Sequence, residues 1–171
     1  MKKALLVLFC LIAAGLCVPA PCSADAGGIC GENVTWSYNA SNGVLTISGN
    51  GATEDYNSWD DTPWYSLKRD IREAVISDGV TGIGAYAFCG CDGMTRVTIP
   101  DSVTVIGSSA FYGCSGLTGI YAPSSLKKIR DNAFPNNEGM ILYCCHDSVA
   151  ERYGTVYGFH VELLDGPGAG R

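Results

Sequence analysis

The sequence predicts a mainly β solenoid of short, similar coils, closed by a β-hairpin at one end and a short helix and strand at the other. Three observations carry this expectation. An apolar pattern recurs every 23 residues, without a gap, from Ile71 to Gly139. Glycine is abundant, at 22 of 171 residues, which favours turns over long helices. Strand-like alternation precedes the repeat, while a helical candidate appears only near the C-terminus. Hydrophobic residues make up 47% and charged residues 16%, enough apolar surface for a buried core. The formal charge is −6, from 11 Lys and Arg against 17 Asp and Glu. So acidic a chain argues against binding nucleic acid or an anionic membrane, both of which need clustered cations.

In chain order, Lys2 and Lys3 lead into an apolar run from Ala4 to Cys17, then the small residues Cys22-Ser23-Ala24. This is the order of a secretory signal peptide over residues 1–24, with cleavage expected after Ala24 and a cut after Ala26 as the near alternative. The run is short for a membrane span, and no second span follows the signal. The expected location is therefore extracellular, with retention at the bacterial cell surface as a variant. Removing residues 1–24 leaves 147 residues, and loss of the two lysines takes the charge from −6 to −8. Cys10, Cys17 and Cys22 also leave, so Cys30, Cys89, Cys91, Cys114, Cys144 and Cys145 remain. An oxidising compartment permits disulfides among them.

Residues 25–69 are expected to form an N-terminal β cap and linker. Val34, Trp36 and Tyr38 alternate with Thr35 and Ser37, and Leu45 and Ile47 repeat the pattern after Gly43. That is a hairpin with a glycine-bearing turn, suited to covering the open edge of the first coil. Residues 50–68 read as an irregular linker carrying Tyr56, Trp59, Trp64 and Tyr65, with Asp55, Asp60 and Asp61.

Residues 70–139 hold three repeats. Ile71, Met94 and Leu117 open equivalent units; Ala74, Val97 and Ile120 follow, then Val80, Val103 and Leu126, then Ile83, Ile106 and Ile129. An Ala-Phe pair ends the pattern at Ala87-Phe88, Ala110-Phe111 and Ala133-Phe134. The opening L-x-x-L-x-L spacing puts alternate residues of a short strand inside. Pro100 cannot donate to a ladder and ends the strand of its unit. One coil leaves an apolar face open, and stacking at about 4.8 Å per rung buries it. Each buried phenylalanine then contributes roughly 1.5–3 kcal/mol. Residues 140–165 are expected to close the core, with a short helix over Ser148 to Tyr153, capped by Ser148 or Asp147, and with Leu163 and Leu164 packed inside. Residues 166–171 form a Gly/Pro-rich tail.

The segment Ile99-Pro100-Asp101-Ser102-Val103-Thr104-Val105-Ile106-Gly107, followed by Ala110-Phe111-Tyr112-Gly113-Cys114-Ser115-Gly116-Leu117, resembles the BspA-type leucine-rich repeats of bacterial secreted and surface proteins. Residues 31–36 and 43–49 resemble the segment found before such repeats, and residues 148–154 resemble their closing helix. The third unit departs from the pattern, with Asn137 where the others have Cys91 and Cys114, Arg130 for glycine, and Pro135 after Phe134. The resemblance implies a leucine-rich-repeat solenoid and a role in protein–protein recognition, including adhesion to host or neighbouring-cell proteins.

No motif for catalysis appears. His146 and His160 lie in no metalloprotease, nucleophile-elbow or phosphate-loop pattern, so no catalytic residue, cofactor or metal is assigned and the chain is read as non-enzymatic. Cys144-Cys145-His146 lacks the ligand spacing of a zinc site. Asp55, Asp60 and Asp61 lack the spacing of a calcium loop and read as a solvated acidic stretch. Cys91 and Cys114 occupy equivalent positions, so they should stack. The rung spacing of about 4.8 Å admits a disulfide, whose Cα separation is about 4.4–6.8 Å, but a buried reduced ladder is the alternative. The family resemblance favours the ladder. Cys30 could instead pair with Cys89.

Two surfaces are candidates for binding. Outward residues of successive strands should form one row of Glu73, Val75, Arg96, Thr98, Gly119 and Tyr121, a broad face suited to a protein ligand. Trp59 and Trp64 could instead offer a sugar-stacking platform, or they could pack the cap onto the first coil. A structural fragment of a larger secreted assembly is a further reading.

Overall fold

The computed structural model describes residues 25–164. The signal-peptide reading, with its cut after Ala24, and the tail 166–171 lie outside the described residues. The N-terminal cap is a three-stranded antiparallel meander of β1 (Ala26–Gly31), β2 (Val34–Asn39) and β3 (Val44–Gly49), one strand more than the hairpin expected. Along β2, Val34, Trp36 and Tyr38 are buried and the residues between them exposed, so period-two alternation decides which face meets the core. The β2–β3 turn is closed by Gly43 at φ 71°, whose N–H donates to the Asn39 carbonyl at 2.9 Å.

The rest of the described chain winds as a β-solenoid of about four turns. One stack of strands joins β3 in parallel to β5 (Glu73–Ile76) and then to β7 (Arg96–Thr98). Beyond it, β9 (Gly119–Tyr121), β11 (Ile141–Cys144) and β12 (His160–Leu163) form a second parallel ladder. The other side of each coil contributes β4 (Gly51–Ala52), β6 (Val80–Ile83), β8 (Val105–Ile106) and β10 (Lys128–Ile129) to a four-stranded parallel sheet. The stretch 50–68 is thus not wholly irregular: β4 supplies the first strand of this sheet, and a 3-10 turn spans Tyr65–Leu67.

Equivalent positions do fall in columns. Phe88, Phe111 and Phe134 are each at most 1% exposed and stack ring on ring, at 5.2 Å and 6.2 Å between centroids. Trp64 extends the column at 5.8 Å from Phe88, with Trp36 and Tyr56 edge-on against it. Tyr153 and Phe159 close the far end, edge-on to Phe134. The backbone beside the column forms its own ladder. Phe88 N–H donates to the Ala110 carbonyl at 2.7 Å, and Phe111 N–H to the Ala133 carbonyl at 2.8 Å.

Both ends of this ladder are completed by aromatic side chains. The Trp64 indole N–H donates to the Ala87 carbonyl at 2.8 Å, where a further coil would offer a backbone N–H. The Tyr153 hydroxyl accepts from Ala133 N–H at 3.0 Å and also meets Phe134 N–H, the donor for which a further coil would offer a carbonyl. A buried backbone group without a partner costs about 1–3 kcal/mol, so each ring both fills the apolar end and satisfies the polar one.

Helix α1 (Val149–Tyr157) runs four residues beyond Tyr153, the last residue of the expected helix. Ser148 is its N-cap, with Oγ accepting from Glu151 N–H at 3.1 Å, while Glu151 Oε2 accepts from Asp147 N–H at 2.6 Å. Gly158, at φ 74°, ends it. Leu163 and Leu164 do not close the core: each is 44% exposed, because β12 is the edge strand of its sheet among the described residues. Phe159 and Val161 pack against the core in their place.

Candidate functional site

The strand register brings the outward residues of the repeats into two rows. Val44, Glu73 and Arg96 face one another across β3, β5 and β7, and Thr46, Val75 and Thr98 form the neighbouring row. Along β5 the outward Glu73 and Val75 are half-buried, whereas Arg96 and Thr98 on β7 are exposed. Arg96 makes no ion pair among the described residues, so its guanidinium is available to a ligand.

The expected single strip is in fact two segments. β7 and β9 belong to separate ladders, so Gly119 and Tyr121 continue the face without sharing sheet hydrogen bonds with Arg96 and Thr98. Instead they pair with β11, placing Gly119 opposite Ile141 and Tyr121 opposite Tyr143. The Tyr121 and Tyr143 rings stack at 4.5 Å with planes 10° apart, and Tyr121 remains 59% exposed. The Tyr143 phenol is held above its ordinary pKa, first by desolvation and then by the nearby Glu162 and Tyr121. Glu162 lies opposite Tyr143 on β12, and His160 Nε2 lies 3.7 Å from Glu162 Oε1.

Gly119 presents no side chain to this face, and its place there is steric. A Cβ at 119 would lie 3.0 Å from Tyr143 Cε2, so glycine leaves room for the Tyr143 ring. Tyr143 is the functional candidate that the 23-residue pattern misses. It aligns with Tyr121 at a spacing of 22, because the last rung has lost one residue from the period. An aromatic at an outward position of the strand alternation, between the inward Leu142 and Cys144, was the available signal.

Of the two readings of the indoles, the sugar platform built from both does not form, and Trp64 packs the cap onto the first coil. Trp64 is completely buried in the aromatic column, because its indole N–H has a carbonyl to satisfy inside the solenoid. Trp59 is 45% exposed, but its ring face is covered by Lys68 Nζ at 3.7 Å from the centroid, a cation–π contact shared with Tyr65 at 4.7 Å.

Cys91 and Cys114 lie at equivalent buried positions and are thiols. Cys114 Sγ donates to the Phe88 carbonyl at 3.1 Å. Asn137, the third equivalent, donates from Nδ2 to the Cys114 and Leu117 carbonyls at 3.0 Å and 3.2 Å. The thiol and the carboxamide thus both tie their coil to carbonyls on the preceding side. Burial pushes the Cys91 thiol up to about 12 and Cys114 well above the usual thiol range, which leaves both unreactive as nucleophiles. Cys30 is buried in the cap, and burial pushes its thiol to about 12 as well.

The remaining polar groups act in local structure. His146, Asp147 and Glu151 bring three ligand-type atoms within 4.8 Å of one another. The Glu151 carboxylate is already engaged by Asp147 N–H at the start of α1, however, and the positive end of a helix dipole opposes a cation there. Asp55 Oδ1 accepts from Ala85 N–H at 2.7 Å, and Asp60 accepts from Ser58 Oγ, the main cause of its lowered carboxyl pKa. No helix among the described residues is long and apolar enough to cross a membrane.

Comparison with known proteins agrees with this architecture. The profile of the family described as "BspA type Leucine rich repeat region (6 copies)" matches residues 64–150. A search of the curated proteins finds no match. Among solved structures, a leucine-rich repeat protein from Eubacterium ventriosum superposes with a TM-score of 0.61 and 25% identity, over 85% of this chain and 41% of that one. A leucine rich cell surface protein from Faecalibacterium prausnitzii superposes with a TM-score of 0.52 and 17% identity, over 80% of this chain and 39% of that one. The chain therefore spans about two fifths of the length of either structure. With its 23-residue coils, its stacked Ala-Phe pairs and the matching profile over residues 64–150, this chain belongs to the BspA-type leucine-rich repeat family.

Proposed function

We propose that this protein is an exported recognition module that binds a protein ligand on a host or neighbouring cell through the outer face of its strand stack. The observation that carries the reading is the exposed Tyr121 stacked on Tyr143, on a face that also displays the exposed Arg96, which has no ion pair among the described residues. The stacked aromatic rings lose little conformational entropy on binding, and tyrosine and arginine are residue types that dominate binding hot spots. Glu73, Val75, Thr98 and the Gly119 gap complete the surface. Family membership supports a repeat module of the kind bacteria use for recognition rather than catalysis. Export rests on the signal-like residues 1–24, and N-terminal sequencing of the secreted protein should begin at Asp25.

The test is capture of ligands from host and bacterial surface extracts, identified by mass spectrometry and then titrated individually. Arg96→Glu and Tyr121→Ala should each weaken a captured ligand about tenfold or more while leaving the melting temperature unchanged. Binding that survives both substitutions, or that is lost only together with folding, refutes the assignment of this face.

A further inference from the structure

A second cleft lies away from the strand stack, where α1 closes over the side of the last two coils, and it shares no residue with the protein-binding face. Its volume is about 390 Å³, within the range of about 300–1,000 Å³ in which proteins hold small ligands. The floor is the buried Phe134 with Phe159 beside it. Tyr112 and Tyr157, 54% and 42% exposed, form aromatic walls. Tyr157 is fixed by its hydroxyl, which donates to Asp131 Oδ1 at 2.9 Å, and by stacking on Tyr153 at 4.3 Å. Asn132, Asn136 and Asn137 complete the lining, in which no side chain carries a charge.

The three asparagines are departures from the repeat. Position 132 corresponds to Tyr86 and Ser109, position 136 to Gly90 and Gly113, and position 137 to Cys91 and Cys114. All three change to the same carboxamide in the third coil, which borders the cleft together with Tyr112 and Gly113 of the second. Asn137 is anchored by its two bonds to backbone carbonyls, and Asn132 sits at φ 53°, a conformation asparagine tolerates better than most residues.

From this lining we propose that the cleft binds a neutral sugar ring, a hexopyranose or N-acetylhexosamine residue of a glycan. Carboxamides both donate and accept, which matches the paired hydroxyls of a sugar. The negative faces of Tyr112 and Tyr157 suit the C–H face of a pyranose ring. A charged ligand would meet no counter-charge in the lining, and a wholly apolar one would desolvate the carboxamides without replacing their hydrogen bonds.

The experiment is an NMR titration of the purified protein with glucose, galactose, mannose and N-acetylglucosamine, with glucuronate as the acidic comparison, alongside a glycan array. At least one neutral sugar should shift the side-chain amide signals of Asn132, Asn136 or Asn137. Tyr112→Ala and Asn136→Ala, both at exposed positions, should each weaken that binding about tenfold with melting unchanged. Trp59→Ala and Arg96→Glu should leave it intact, and the latter separates this site from the protein-binding face. The proposal fails if neither the titration nor the array detects a neutral saccharide, if glucuronate binds better, if binding survives both cleft substitutions, or if Trp59→Ala abolishes it.

Discussion

Trp64→Phe isolates the part played by one indole N–H in closing the solenoid. Phenylalanine keeps a ring in the column against Phe88, but it removes the donor that satisfies the Ala87 carbonyl at 2.8 Å. That carbonyl then lies buried without a partner, at a cost of about 1–3 kcal/mol. The smaller ring also buries less surface and leaves a gap against Trp36 and Tyr56, which adds about 1 kcal/mol. The expected destabilisation is about 2–4 kcal/mol, a large share of the roughly 5–15 kcal/mol typical of a domain. It should appear as a drop of about 4–16 °C in the thermal midpoint, and as a lower urea midpoint with an unchanged slope. The control is Trp59→Phe, at a half-exposed ring whose loss should cost less than about 0.5 kcal/mol. If Trp64→Phe is as mild as Trp59→Phe in both assays, the indole does not complete the ladder and the reasoning about the coil ends is wrong.

The remaining predictions use other parts of the molecule. Tyr153→Phe removes the hydroxyl that meets Phe134 N–H, while Ala133 N–H keeps its bond to the Arg130 carbonyl at 3.3 Å, and should cost about 1–3 kcal/mol by urea unfolding, with the ring stack retained. Gly107→Ala places a Cβ 2.4 Å from Ala85 N and 2.5 Å from Gly84 C, in backbone that cannot yield cheaply, and should destabilise by about 1–3 kcal/mol in the same assay. Ser109, at φ 54°, holds a left-handed conformation that asparagine accepts more readily, so Ser109→Asn should be neutral or stabilising by up to about 1 kcal/mol in thermal melts. The Cys91 thiol rises from 9.0 to about 12 on folding, so the folded chain holds this proton more tightly than the unfolded one. Its contribution to stability is intact below pH 9 and falls by about 1.4 kcal/mol per pH unit between pH 9 and pH 12; Cys91→Ala should flatten that part of the stability–pH curve.

The middle of the fold was legible because identical coils impose identical spacing. Phe88, Phe111 and Phe134 had to share an environment once their neighbours repeated at 23 residues. The ends were harder to read because end rungs need only pair on one side. β3 aligns with β5 at a spacing of 29, and β11 with β9 at 22, so neither falls on the period that reveals the others. Trp64 was visible as an aromatic but not as a member of the column, since it stands 24 residues before Phe88 and contributes an indole N–H where a coil would use its backbone. For the same reason it could be taken for an exposed platform. Leu163 and Leu164 suggested core by composition alone, and their exposure follows from the place of β12 at the outer edge of its sheet. On the outer face, Arg96, Thr98 and Tyr121 could be placed by strand alternation, whereas the stacking of Tyr121 on Tyr143 required the shortened final rung. The cleft beneath α1 could not be read at all, because it depends on how the helix folds back over the third coil.

Amide exchange of this protein alone and saturated with its captured protein ligand measures the docking face most directly. The account predicts slowed exchange in residues 73–75, 96–98, 119–121 and 141–143, with residues 80–83, 105–106 and 128–129 unchanged. Slowing confined to the second group would place the ligand on the opposite sheet and contradict the proposed role of the Arg96–Tyr121–Tyr143 surface.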